Sequence, residues 1–176
     1  MKSRIVFCLL AALPSVMLAQ GDAAKAKAAL APFAKLVGQW EGDAHVTIVP
    51  GQPAQVVRQH EDIQLTNGGT VLKVHGVGRS TDAATKGNVV FEANATVWYD
   101  NALNKLRMSA KTATGDSTEA SIELRPDTLI WGFPVQAGRI RFTIAYSTTD
   151  WYEVGHFIRE GMPPIPTIEM RLKKIK

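Results

Sequence analysis

Residues 89–99 read Val-Val-Phe-Glu-Ala-Asn-Ala-Thr-Val-Trp-Tyr and hold the clearest alternation of apolar and polar side chains in the sequence. The apolar positions are two residues apart: Val89, Phe91, Ala93, Ala95, Val97 and Tyr99. Successive side chains of a β-strand point to opposite faces, so this spacing predicts a strand with one apolar face. Asp100 and Asn101 follow at once and favour a turn. The stretch therefore predicts one strand of an antiparallel sheet.

The same alternation recurs on both sides of this strand, with turn signals about every 8–12 residues. These signals include Pro50-Gly51, Asn67-Gly68-Gly69, Asp100-Asn101, Thr114-Gly115-Asp116 and Pro126-Asp127. About ten short strands joined in this way are typical of an antiparallel sandwich or barrel. Closure into a barrel removes the exposed strand edges that favour aggregation. We therefore predict an all-β fold, an antiparallel up-and-down β-barrel of about 8–10 strands, with a sandwich as the alternative.

A short N-terminal helix is predicted before the first strand, over about residues 22–37. Four apolar residues recur there at helical spacing: Leu30, Phe33, Leu36 and Val37. Gly38 provides the stop signal. Pro32 predicts either a kink or the start of a shorter second segment.

Residues 1–19 have the layout of a cleavable secretory signal peptide. Lys2 and Arg4 supply the positive charges, and the apolar run of about nine residues that follows is too short to span a bilayer. Cys8, the only cysteine, lies inside this run, so the mature chain has neither a thiol nor a disulfide. We expect a single domain over residues 20–176, in a protein that is periplasmic or secreted.

Charge and patterning exclude two classes of function. Without Lys2 and Arg4 the formal net charge falls from +4 to +2, and the sequence has no basic stripe of the kind that a nucleic-acid binder shows. The outward faces of the predicted strands carry Lys, Arg and Glu, which argues against a membrane-spanning barrel.

Three short motifs, in this order along the chain, resemble those of lipocalin-like (calycin) barrels. They are Leu36-Val37-Gly38-Gln39-Trp40-Glu41-Gly42, Trp151-Tyr152-Glu153 and Glu169-Met170-Arg171-Leu172-Lys173. The resemblance is closest to a family of uncharacterised exported bacterial lipocalin-like domains, and it covers about residues 30–175. The chain lacks the C-terminal helix and the stapling cysteines of true lipocalins.

The resemblance implies a structural role for the first tryptophan of the barrel. In the resembling families this residue packs under the barrel and is covered by an arginine from a late strand. Trp40 is then the closing tryptophan, with Arg171 as its cover and Arg159 as the second candidate.

Signatures of catalysis and of metal binding are weak in this sequence. His60-Glu61 resembles the start of a zinc-protease helix, but Gln64 stands where the second histidine belongs. Pairing of the adjacent strands would bring His60 near His75, and a metal would then need Glu61 or a neighbouring aspartate as third ligand. We predict no metal and no cofactor. Heme, bound through an inward His156, is the weaker alternative.

Aromatic side chains concentrate in the last strands and are the best candidates for a binding site. The candidate cavity residues are Phe91, Trp131, Phe142, Tyr146, Trp151, Glu153 and His156. If the aromatic side chains instead fill the barrel, they form an ordinary packed core. Glu153 would be a charged group among apolar neighbours, so it would need a partner such as Arg141 or Arg159.

Three functions stay open at this point. The first is a non-catalytic barrel that binds a small apolar or amphipathic ligand in its interior. The second is a structural or protein-interaction module with a filled core. The third is an enzyme that uses the barrel as a substrate cup, with His60, His75 or His156 beside a carboxylate. We favour the first, with a small hydrophobic molecule and no nucleic acid as the partner.

Overall fold

The computed structural model describes residues 14–47 and 52–176, with side chains from Gly21 onward. The predicted signal peptide, residues 1–19, lies largely outside this range, and its cleavage stays a prediction.

Two helical segments precede the barrel: α1 (Pro14–Leu30) and a 3-10 helix (Ala31–Leu36). The predicted helix over 22–37 therefore exists, but it starts earlier and changes type near Pro32, which stands in the first turn of the 3-10 segment. Proline has no amide hydrogen and its ring clashes with the preceding turn, so α-helical bonding cannot continue through it.

Ten strands follow: β1 (Gly38–Val46), β2 (Gln55–Thr66), β3 (Val71–Ser80), β4 (Val89–Asp100), β5 (Lys105–Thr112), β6 (Ser117–Arg125), β7 (Thr128–Val135), β8 (Gly138–Tyr146), β9 (Asp150–Ile158) and β10 (Ile165–Lys174). Each strand pairs antiparallel with its neighbour in sequence, and β1 pairs with β10 to close the sheet. The prediction of an up-and-down barrel is confirmed, and the sandwich alternative is wrong.

Alternate residues of each strand face the barrel interior, as the sequence alternation predicts. Val97 of β4 lies opposite Leu72 of β3 and Met108 of β5, and all three side chains are buried. Because the side-chain period of a strand is two, this register fixes the inward set of every neighbouring strand.

One end of the barrel, which we call the closed end, is covered by the two helical segments. Leu30, Phe33 and Leu36 are fully buried in the same apolar cluster as the strands. Trp40 has no exposed surface, and its indole Nε1 donates a hydrogen bond of 2.7 Å to the carbonyl oxygen of Leu36. The closed end is therefore a packed core.

The cation that covers Trp40 is Lys174, and the prediction of Arg171 is wrong. The Lys174 Nζ lies 4.9 Å from the centroid of the Trp40 ring and donates a hydrogen bond of 2.7 Å to the carbonyl oxygen of Val37. Arg171 stacks instead on the ring of Tyr152, at 4.2 Å, on the outer surface. The two cations have opposite parity on β10, so only Lys174 lies on the inward face, opposite Trp40. Arg159, the second candidate, follows β9 at the other end of the barrel.

At the opposite end, which we call the open end, the described residues place no helix over the strands. The wall is also incomplete there. β6 and β7 pair only beside their turn, between residues 123–125 and 128–130. Farther toward the open end β6 pairs with β5 and β7 pairs with β8, so β6 and β7 separate. Pro134, which has no amide hydrogen to donate, lies in the part of β7 that pairs with β8 but not with β6. We refer to the separation as the β6–β7 gap.

Candidate functional site

A wall of three stacked aromatic side chains faces the interior near the open end. Trp131 of β7 lies opposite Phe142 of β8, with ring centroids 4.3 Å apart and planes inclined by 16°. Phe133 packs beside both, 6.0 Å from Trp131 and 6.3 Å from Phe142. All three are only half-buried although they point inward. Their exposure indicates that the barrel interior opens to solvent beside them.

Small residues line the interior on β3, β4 and β5, on the other side of the ring of strands. These residues are Gly76, Gly78, Ala93, Ala95 and Ala110. The three alanines are half-buried although they face inward. Small side chains that face an aromatic wall across the interior are an arrangement that favours a ligand pocket in a small barrel.

Polar side chains lie deeper in the same interior. Gln59 and Glu61 of β2 are both buried, and the Gln59 amide donates a hydrogen bond of 2.7 Å to the Glu61 Oε1. The room for this pair comes from β3, because a Cβ at Gly76 would lie 2.7 Å from both carboxyl oxygens of Glu61. A Cβ at Gly78 would similarly lie 2.9 Å from the Gln59 side-chain oxygen. The two glycines therefore make a space in which a buried carboxyl group fits.

A second carboxyl group, that of Glu153 on β9, is buried in the interior as well. Its Oε2 accepts a hydrogen bond of 3.2 Å from the indole Nε1 of Trp151. Glu153 lies opposite Ile144 on β8, two residues farther from the open end than Phe142. The carboxyl group thus lies below the aromatic wall.

Burial raises the pKa values of the two interior carboxyl groups to neutral pH or above it. Burial, together with the negative charge of Glu61, raises the pKa of Glu153 to about 8, against the lowering effect of the hydrogen bond from Trp151. Burial also raises the pKa of Glu61 to about 7, opposed by the Gln59 hydrogen bond and by His75. The pair therefore presents both hydrogen-bond donors and acceptors to the interior near pH 7.

Six of the seven predicted cavity residues have inward parity, and they divide into three groups. Trp131, Phe142 and Glu153 line the interior as described above. Tyr146 and Trp151 also face inward, but they are buried in the core of the closed end. Phe91 has the inward parity of β4, yet it lies at the rim of the open end and is 46% exposed.

Two predictions about β9 and its neighbours are wrong. His156 lies on the outer face, because its parity is opposite to that of Trp151 and Glu153 and it pairs with Arg141. It therefore does not line the interior and is not placed to ligate a heme inside the barrel. The partner of Glu153 is the Trp151 indole rather than an arginine, since Arg141 also points outward and Arg159 lies beyond the end of β9.

The remaining histidines of the metal hypothesis lie on the outer surface, each beside a different carboxylate. The His60 Nδ1 is 3.5 Å from a carboxylate oxygen of Glu41, and the His75 Nε2 is 3.0 Å from one of Glu92. Glu61, considered above as a third metal ligand, points to the opposite face of β2. Within the described part of the chain no three His, Cys, Asp or Glu side chains form a group that could hold a metal ion.

The sequence analysis missed Gln59 and Glu61 as interior residues. The signal was present, because both share the parity of Val57 and Ile63, which are buried apolar residues of the same strand. Two glycines at matching parity on the next strand, Gly76 and Gly78, were the second signal.

Comparison with known proteins supports the fold and nothing finer. No protein-family model matches the sequence, and no curated protein matches it. The chain is similar in structure to Rv2717c from M. tuberculosis, with 10% identity and a TM-score of 0.62 over 84% of this chain and 98% of that one. A de novo designed fluorescence-activating beta barrel gives 15% identity and a TM-score of 0.40 over 84% of this chain and 97% of the design. Separately, no helix in residues 14–47 and 52–176 has the length and hydropathy of a membrane span.

Proposed function

We propose that this protein is a non-catalytic, lipocalin-like barrel that binds a small apolar or amphipathic molecule in its interior. The observation that carries the proposal is the half-buried, inward-facing wall of Trp131, Phe133 and Phe142 above the buried carboxyl groups of Glu61 and Glu153. The packed core of the closed end buries its aromatic rings more completely, as it does Trp40. Apolar walls with a few convergent polar groups are typical of small-molecule sites.

The carboxyl pair defines the chemistry of the ligand's inner end. Because the pKa of Glu61 is about 7, this buried carboxyl group is partly ionised near neutral pH, and a carboxylate or phosphate placed beside it would be repelled and poorly solvated. A hydroxyl, amide or amine can instead donate to one carboxyl oxygen and, where it has a free lone pair, accept from the protonated partner. We therefore infer a ligand with an apolar body and an uncharged or cationic polar group at its inner end.

The cellular setting belongs to the same proposal. The signal-like layout of residues 1–19 supports a periplasmic or secreted protein, and an extracytoplasmic binding barrel needs neither metal nor cofactor. The third possibility, an enzyme, has no support from the histidines, since His60, His75 and His156 all lie on the outer face.

Binding is tested first by native mass spectrometry of the protein purified from an exporting host, with organic extraction of any co-purifying molecule. We expect a bound molecule with an apolar body and no acidic group. A ligand-free mass, together with no uptake of the probes named below, would contradict the proposal and favour a filled-core module.

Ligand chemistry is tested with decanol, decylamine and decanoate, which share one chain length and differ in the polar group. Isothermal titration is expected to rank the alcohol and the amine above the acid by at least tenfold, a difference of about 1.4 kcal/mol. Trp131→Ala should weaken binding by about tenfold, through loss of roughly 1.5 kcal/mol of apolar contact with the alkyl chain. Trp98→Ala is the matched control, because Trp98 has the outward parity of β4. Equal binding of the acid, or equal losses in both tryptophan variants, would contradict this part of the proposal.

A further inference from the structure

Large apolar side chains are exposed around the rim of the open end. Among the described residues, those at this rim are Val56, Val89, Val90, Phe91, Val135 and Met162. Val90 is the most exposed of them, at 57%. Only Leu103 and Ile175 are comparably exposed large apolar residues elsewhere in the described chain, and both lie at the closed end. Clustered exposed apolar residues indicate an interaction surface, whereas isolated ones do not.

The apolar rim has a projecting part, the start of β4. Ladder pairing of β4 with β5 begins at Ala93 opposite Thr112, and the last backbone contact on that side is the hydrogen bond from the Ala113 amide to the Glu92 carbonyl oxygen. Beyond it, Val89 and Phe91 pair with β3 alone, and Val90 between them has no partner, because the register shifts there. The segment Val89-Val90-Phe91 therefore stands beyond the neighbouring strand and presents its side chains to solvent. Apolar side chains that project in this way can insert into an apolar environment without any rearrangement of the barrel.

Basic residues surround this rim. Five exposed cations occupy its loops and strand ends: Arg79, Lys86, Lys111, Arg139 and Arg159. None of them takes part in an ion pair in the described structure, whereas Arg58, Arg125, Arg171 and Lys173 each pair with a carboxylate. The acidic residues of the same loops and strand ends are Asp82, Glu92, Asp116 and Glu160, and Glu92 lies beside His75. Five cations against four acids leave the rim with a small net positive charge, and the five cations have no carboxylate partner in the described structure.

We propose that the open end docks on the surface of an anionic lipid bilayer, with Val89, Val90 and Met162 inserted and the rim cations on the lipid headgroups. Apolar side chains that enter the headgroup boundary, combined with basic residues that meet anionic lipids, are the two components of peripheral membrane binding. A second copy of the chain is a poorer occupant, because two such rims face to face would bring like charges together. The β6–β7 gap, beside Trp131 and Phe133, would then open toward the bilayer.

The inference goes beyond the proposed function and does not rest on it, since an empty barrel has the same rim. It is tested by co-sedimentation of the ligand-free protein with vesicles of phosphatidylglycerol and phosphatidylcholine, compared with vesicles of phosphatidylcholine alone. We expect binding to the anionic vesicles only, weakened by high salt because the Debye length shortens. Val89→Ser with Val90→Ser should reduce the partition coefficient by about tenfold, and Lys86→Glu with Arg159→Glu should reduce it at least as much.

Matched controls lie at the closed end. Leu103→Ser removes an apolar side chain of similar exposure, and Lys105→Glu reverses an exposed charge, so both should leave vesicle binding unchanged. All positions are on the surface, and unchanged melting temperatures will verify that the variants fold.

Absence of binding to anionic vesicles, or equal losses in the Leu103 and rim variants, would overturn the proposal. So would rim-dependent self-association measured by analytical ultracentrifugation in place of vesicle binding, which would make a second copy the occupant. Vesicle binding is measured without ligand, and decanol binding is measured without vesicles. Failure of one proposal therefore does not affect the test of the other.

Discussion

The two ends of the barrel use the same kind of residue for different purposes. At the closed end Trp40 is fully buried and meets Trp151 edge to face, with centroids 6.0 Å apart. At the open end Trp131 is half-buried and stacks on Phe142. Both ends come from alternating strands with aromatic residues on the inward face, so strand pattern alone does not distinguish a fully buried aromatic side chain from a half-buried one. The difference is the cover, because the helical segments bring Leu30, Phe33 and Leu36 onto one end only.

The largest expected effect is on stability at the closed end. Trp40→Ala should lower the free energy of unfolding by about 5 kcal/mol, because it leaves a cavity in a close-packed core. Trp131→Ala should cost less than about half of that, since its ring already contacts solvent and its removal enlarges an open space. Urea denaturation followed by circular dichroism measures both. Equal losses for the two variants would mean that the open end is packed like the closed one.

A second expected effect concerns pH and belongs to the interior between the two ends. Burial raises the pKa of Glu153 from its ordinary value of 4.5 to about 8. Below pH 4.5 the group is protonated in both folded and unfolded chains and costs nothing. As pH rises toward 8 the unfolded chain ionises first, so the folded state loses stability, by roughly 4 kcal/mol at about 1.4 kcal/mol per pKa unit.

Glu153→Gln should remove most of this loss, because glutamine stays neutral and its side-chain oxygen can still accept the Trp151 hydrogen bond. The variant is expected to be more stable than the original protein at pH 9 and similar to it at pH 4. Melting temperatures measured across that range provide the test. Glu160→Gln, at an exposed position, is the control and should leave the profile unchanged. If the melting temperature of Glu153→Gln changes with pH in the same way as that of the original protein, this carboxyl group is not desolvated.

Sequence reasoning recovered the fold because alternation, turn residues and the absence of long helical patterns all agree. The cation that covers Trp40 was not predicted correctly. The family resemblance implied an arginine, but the parity of β10 places Lys174, not Arg171, on the inward face opposite Trp40. The interior position of Glu61 was not predicted, because the His60-Glu61 pair resembles a metal-binding motif. The parity of β2 places these two side chains on opposite faces of the strand. The β6–β7 gap has no clear sequence signal apart from Pro134, since it depends on where two paired strands diverge.

A third, smaller effect tests the space that glycine provides for Glu61. At Gly76 a Cβ would lie 2.7 Å from both carboxyl oxygens, so Gly76→Ala should destabilise the protein by about 2 kcal/mol through overpacking. The same change in a Glu61→Ala background should cost much less, because the clashing group is gone, and a double-mutant cycle measures the difference. Gly21→Ala, on α1 with no atom within 4 Å of its Cβ, is the control. Additive losses at the two positions would contradict a tight fit between them.

The smallest expected effect separates the two cations of β10. Lys174 lies over Trp40 and donates hydrogen bonds to the carbonyl oxygens of Lys35 and Val37, so Lys174→Met should cost about 1–2 kcal/mol. Arg171→Met removes an exposed ion pair with Glu169 and should change stability by less than about 0.5 kcal/mol. Both substitutions leave an unbranched apolar stem, so the comparison isolates the charged head groups. Near-ultraviolet circular dichroism of the tryptophans should change in the first variant only. A larger loss of stability for Arg171→Met than for Lys174→Met would indicate that Arg171 covers Trp40, as the family resemblance implied. That arrangement would require the β10 register to shift by one residue.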